Sequence, residues 1–253
     1  MNRDFQRQAR DSSPAVERGQ PDAREERFLA KLRAKLKDRP KAPHPGPRPV
    51  PGAAAGDVDG LVTRFSQELA AVGGRAERCR TPEQLAARLA AVCREAGVRT
   101  IALEADPRWD QPRWQPWRRA LDKAGCELLR PGDGPSPREI AAAADAGLTI
   151  ADFAIADTGT IGQWTGTGRS RVISLLPLVH LVLLPAGSLV ATRAVVMGRM
   201  EAAAAQQGWP SQVVFITGPS RTGDIEGALT VGVHGPGQVH VFIVDVESGE
   251  DGN

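Results

Sequence analysis

Three short segments carry the residue types that hold anions. The first is Asp157–Thr160 (DTGT) with the following GTGRSR, Gly166–Arg171. Its glycines let backbone approach a ligand closely, its threonines can donate hydroxyl hydrogens, and Arg169 or Arg171 could make a charge-assisted contact. A hairpin tip with solvated arginines is the plainer reading. The second is Thr217–Glu226 (TGPSRTGDIE), directly after the apolar run VVFIT. Here Ser220 or Thr222 could cap a short helix whose free N–H groups, with Arg221, would cradle an anion. Alternatively, Asp224 and Glu226 pair with Arg221 and fix the loop. The third is GVHGPG, where His234 could act as acid or base near neutral pH or donate to a turn carbonyl. His180 and His240 sit in apolar strands and read as satisfied core groups.

Other chemistries lack their residues. Gly-x-x-x-x-Gly-Lys-Ser/Thr does not occur, and GTGRSR has no third glycine, so neither ATP nor NAD is implied. No Gly-x-Ser-x-Gly or His-Glu-x-x-His occurs, so no catalytic residue is assigned. The three cysteines, Cys79, Cys93 and Cys126, show no Cys-x-x-Cys spacing, so no metal site or disulfide framework is encoded. The tryptophans of DPRWDQPRWQPW could stack on a planar ligand, but the interleaved prolines favour a surface loop that buries its own tryptophans.

The elements that must position these segments follow from periodicity. In DGLVTRFSQELAAVGG, Leu61, Phe65, Leu69 and Val72 form one helical face, and Gly73-Gly74 stop it. TPEQLAARLAAVCREAG and SPREIAAAADAG each begin with a capping residue followed by proline, with Gln84 or Glu139 placed to close a capping box. The order helix, glycine, short apolar strand recurs around Gly74, Gly97, Gly125 and Gly147. That alternation predicts an α/β fold, a mostly parallel sheet flanked by helices. IADFAIADTGTIGQW reads as two strands around a turn, LVHLVLLPAG as a buried strand, and GSLVATRAVVMGRMEAAAAQQG as a helix ended by Gly208. SQVVFIT and QVHVFIVDV read as the last two buried strands. The binding crevice is expected beyond the carboxyl ends of the strands.

Residues 1–56 are charged and then proline-rich and predict a mobile tail, within which EERFLAKLRAKLKD has helical spacing. Residues 57–248 predict a single domain and 249–253 a C-terminal tail. A net charge of +2, with 41% apolar and 25% charged residues, is ordinary for a globular protein. No basic face marks a nucleic-acid partner. Neither a secretory signal nor a membrane span is evident, and the chain reads as cytosolic.

The blocks AIADTGTI, SLLPLVHLVLLPAGSLV and FITGPSRTGDIEGALTVGVHGPGQVHVFIVD, in that order, resemble the LUD-domain family over about Asp57 to Val246. The resemblance implies a fold akin to the sugar-phosphate isomerase and CoA-transferase-like superfamily. It implies a non-redox component of a lactate-utilisation system that oxidises L-lactate to pyruvate beside iron–sulfur partner subunits. The clusters would belong to those partners, with no cofactor in this chain. The motif positions carried over as ligand-binding candidates are Thr158, Gly159, Thr160, Gly218, Pro219, Ser220, Arg221, Thr222, Asp224, Glu226 and His234. Arg171 joins them from the more variable loop. The competing expectation is an independent enzyme that binds a phosphorylated, CoA-linked or carboxylate molecule in an anion crevice.

Overall fold

The computed structural model describes residues 26–28, 30–31, 57–130, 134–165, 169–207, 212–225, 228–232 and 234–246. Contacts divide the chain into a unit of residues 1–49 and one of residues 50–253. In the first, residues 26–28 and 30–31 are helical with Phe28 exposed. Leu29, Leu32 and Leu36 lie outside the described residues.

The second unit is built on six parallel strands: β1 (Arg75–Cys79), β2 (Thr100–Leu103), β3 (Glu127–Leu129), β4 (Ala146–Ile150), β7 (Val179–Pro185) and β12 (Gln238–Val244). Their order is β1-β12-β7-β4-β2-β3. Strand period decides which side chain faces which layer. Leu181 and Leu183 of β7 join one core with Leu85, Leu89 and Val92 of α2 (Pro82–Ala96) and Trp117 and Leu121 of α3 (Gln115–Asp122). Val182 and Leu184 join the other with Phe65 and Leu69 of α1 (Val58–Ala71). Central strands buried on both faces read as continuous apolar runs, as VHLVLL and VHVFIV do.

A second sheet, of order β8-β5-β6-β9, covers the α1 face. It comprises β5 (Phe153–Ile155), β6 (Thr160–Thr165), β8 (Leu189–Val190) and β9 (Gln212–Ile216). On its outer side Phe153, Ile155 and Val190 pack against Val195, Val196 and Met200 of α6 (Arg193–Gln207). Two short helices, α4 (Pro137–Ala143) and α5 (Val172–Leu175), pack with Ala102 of β2.

Local signals are expressed as expected at several points. Ser136 and Glu139 close a full capping box, and Gly97 takes the left-handed C-cap at φ 68°. At the other box Thr81 accepts from the Gln84 N–H, but the Gln84 side chain accepts from Arg80 N–H, one residue earlier than expected. Gly147 does not stop a helix. The helix ends at Ala143, and Gly147 lies within β4, where a Cβ would meet the Ile173 carbonyl oxygen at 1.9 Å. The glycine is there for close approach of α5, not for chain reversal. β9 is half-buried and belongs to the second sheet, so of the two expected final strands only β12 is central.

Among the described residues of TGPSRTGDIE there is no helix: Arg221–Ile225 is strand β10, paired antiparallel with β11 (Ala228–Val231). Glycines on both sides and the apolar run ALTV favour a hairpin over a helix start.

Candidate functional site

The expected crevice does not collect the three glycine-rich segments. GVHGPG precedes β12, and Gly237 N–H donates to the Leu178 carbonyl just ahead of β7. Ser220 N–H donates to Pro236 O and Gly232 N–H to Ser220 O, so the second and third segments do form adjoining walls. Those walls stand at the amino ends of β12, β7 and β1, opposite to the expectation. The Arg221 guanidinium donates to the Val72 carbonyl at the end of α1, where it satisfies an otherwise open helix carbonyl. His234 is exposed and Pro219 buried. Thr222 and Asp224 lie on β10, and Glu226 is outside the described residues.

The first segment joins the same end. Gly159, at φ 59°, sits where a Cβ would meet the Leu69 backbone nitrogen at 2.3 Å, so the turn nests against α1. The hydroxyls of Thr158 and Thr160 are 2.8 Å apart, and that of Thr160 is 2.8 Å from Thr217 beside Gly218. This hydroxyl chain ties the β5–β6 turn to the end of β9. Arg171 is exposed and donates to Gln212 Oε1 at 3.0 Å, away from these groups. Thus Thr158, Gly159, Thr160, Gly218, Ser220 and Arg221 gather near the end of α1, whereas Arg171 does not.

The carboxyl ends hold a different constellation. β2 and β4 lie side by side, yet β2 leads to α3 on one face and β4 leads to the second sheet on the other. Such a reversal opens a crevice beyond the strand ends. Glu104 and Asp106 follow β2, Asp152 follows β4, and Arg108 and Arg169 enter between them. Arg169 lies 2.8 Å from Asp152, 3.3 Å from Asp106 and 3.5 Å from Glu104. Arg108 lies 2.6 Å from Asp106 and 3.1 Å from Asp152. Both arginines also donate to the Ile150 carbonyl, at 2.9 and 3.1 Å, which holds the end of β4 to the cluster.

These charges are unequal. Burial works against ionised Asp106, but hydrogen bonding and charge from Arg108, then Arg169, outweigh it and hold its carboxyl below the ordinary range. Burial also works against the charge on Arg169, and Asp152 overrides it and raises that pKa. Glu104 is 3% exposed, and burial pushes it up to about 7 despite Arg169. Its Oε2 has no hydrogen-bond partner among the described residues. Glu104 also lies in the wall of an open crevice of about 400 Å³ at the carboxyl ends of β2 and β3, with Leu103, Trp109, Asp110, Arg118 and Arg130. Sequence reasoning passed over Glu104, Asp106, Arg108 and Asp152. The available signal was acids placed within three residues of the ends of the apolar runs TIAL and LTI.

Elsewhere, His180 is fully buried, with Nε2 2.9 Å from Thr149 Oγ1, and burial drives it down to about 3. His240 is buried beside Gln238. Trp109, Trp114 and Trp117 are buried in the main core with α2, α3 and the sheet, and their segment forms two 3-10 turns and the start of α3, not a surface loop closed on itself. Among the described residues, no helix is long and apolar enough to cross a membrane.

The architecture is an open α/β sheet with a buried charged cluster at the ends of β2 and β4 and a crevice beside it, layered on one face by a small second sheet. The LUD domain family model matches residues 62–244, and the chain belongs to that family. It is 34% identical to lactate utilization protein C of Halalkalibacterium halodurans over 155 residues, 61% of this chain and 66% of that one. It is 46% identical to lactate utilization protein C of Exiguobacterium sp. over 115 residues, 42% of this chain and 47% of the relative. With lactate utilization protein C 1 of Bacillus mycoides it shares 28% over 74% of this chain and 80% of that one. The matches thus span about half to two thirds of the length of the first two relatives. The crystal structure of a DUF162 family protein from Deinococcus radiodurans has the same fold, at a TM-score of 0.54 and 22% identity, covering 74% of this chain and 98% of that one.

Proposed function

We propose that this chain serves lactate utilisation as a subunit or accessory protein of a system that oxidises L-lactate to pyruvate with iron–sulfur partner proteins. The observation that supports it is the LUD domain match across 62–244, shared with relatives named lactate utilization protein C. In this reading the clusters belong to the partners. Cys79 and Cys93 are packed in the hydrophobic core of α2 and the sheet, and burial raises both thiols, Cys79 to about 11.

The test is purification of the tagged protein from its own host, grown on lactate and handled without oxygen, with lactate oxidation assayed in the eluate. Co-purifying iron–sulfur subunits, with activity lost when this chain is withdrawn, is the expected result. A protein that elutes alone, from a host that grows on lactate equally well without it, overturns the proposal.

A further inference from the structure

The crevice at the carboxyl ends of β2 and β3 is furnished on two levels. At its mouth stand Arg118 and Arg130, with side chains 33% and 34% exposed. Their acid partners, Asp110 at 3.7 Å and Asp122 at 2.8 Å, are more exposed still. Pairs of that kind contribute little, so both guanidinium groups can turn to an incoming carboxylate at small cost. Deeper in, the Glu104 Oε2 has no donor and the Trp109 indole N–H no acceptor among the described residues; both atoms lie beneath the crevice surface, so a ligand meets them once these side chains turn outward. A molecule carrying a carboxylate beside a hydroxyl or carbonyl supplies such groups.

The buried charges do not balance. Facing Glu104 are Asp106 and Arg108 on its own segment, Asp152 after β4 and Arg169 ahead of α5. Three carboxylates therefore share two arginines, with Asp110, Arg118 and Arg130 further out in the crevice. Asp106 and Asp152 take the short contacts and leave Glu104 as the group that accommodates a proton.

We propose that this crevice binds a small hydroxy or oxo acid through Arg118 and Arg130, and that Glu104 takes up a proton as the anion enters. A second negative charge nearby disfavours ionised Glu104, and the group is already poised at about 7, so uptake falls near neutral pH. A volume of about 400 Å³ is at the small end of ligand pockets, which run from roughly 300 to 1,000 Å³. That suits a small acid better than a coenzyme A thioester. The choice of L-lactate and pyruvate as probes rests on the lactate-utilisation reading; the site does not.

The experiment is titration calorimetry on the full chain at pH 7.5 with L-lactate, pyruvate and inorganic sulfate, in two buffers of different ionisation heat. The expected result is one site for L-lactate or pyruvate, net proton uptake, and affinity that weakens by up to about tenfold per pH unit above 7. Arg118→Ala with Arg130→Ala should weaken binding at least tenfold, and Glu104→Gln should abolish the uptake and flatten the pH dependence. Should Glu104→Gln not fold, proton uptake by the unaltered protein from pH 6 to 9 serves instead, expected to peak between 7 and 8. No binding of either acid at millimolar concentration, sulfate bound as tightly as both, or uptake persisting in Glu104→Gln overturns the proposal. Failure here, with iron–sulfur subunits still co-purifying, sinks the crevice alone; binding by a chain that has no partners sinks the subunit reading alone.

Discussion

Glu104 makes the stability of this protein depend on pH in a direction opposite to that of most carboxylates. Its pKa rises from 4.5 in the free side chain to about 7 in the fold, with burial the leading cause. The folded state therefore holds a proton that the unfolded chain has released. The stabilisation is fully present below pH 4.5 and is lost as pH rises through 7. At 1.36 kcal/mol per pK unit, the displacement amounts to roughly 3 kcal/mol. Glu104→Gln keeps the shape and removes the titration, so the stability difference between parent and variant should shift by about that amount in favour of Gln from pH 4.5 to 8. Urea unfolding of both proteins at half-unit pH steps measures it. The comparison cancels His180, whose depressed pKa acts oppositely, with stability lost as pH falls below 6.5. Parallel stability profiles for the two proteins would refute the reasoning, because they would mean that Arg169 holds Glu104 ionised throughout.

Three further outcomes are expected from the packing. Gly147→Ala should cost about 3 kcal/mol or more in urea unfolding, since its Cβ would collide with the backbone carbonyl of Ile173. Thr160→Val should lose about 1–2 kcal/mol by leaving Thr158 and Thr217 without their shared hydroxyl, and amide exchange in the Asp157–Gly159 turn should quicken. Ser136→Ala should cost about 1 kcal/mol by opening the capping box, with Ser136→Asp restoring most of the loss in thermal unfolding.

Much of the fold was legible because its signals are local. A proline after a capping residue starts α2 and α4 wherever they end up packing, and runs such as VHLVLL can be buried only on both faces of a sheet. β1 was legible mainly by its place after Gly73-Gly74, because RAERC has little apolar pattern and only Cys79 is fully buried at the sheet edge. The site was less legible. Ser220, Arg221 and the GVHGPG turn do adjoin, as their glycines and polarity suggested, but Arg221 turns to a helix carbonyl.

By itself the sequence determined most element types, the α/β class and the order of the family blocks, since each depends on spacing along a few neighbouring residues; strands β8 and β10, both read as helix, are the exceptions. Only the tertiary structure decided that Thr158–Thr160, Gly218–Arg221 and the turn before β12 gather at the amino ends of the sheet, and that Glu104, Asp106, Asp152 and Arg169 meet at the carboxyl ends. Strand order brings together residues that stand 65 positions apart or fewer, and no local pattern encodes which strands become neighbours. Burial is likewise a property of the assembled layers. It turns an ordinary glutamate after a short strand into the group that holds a proton near neutral pH.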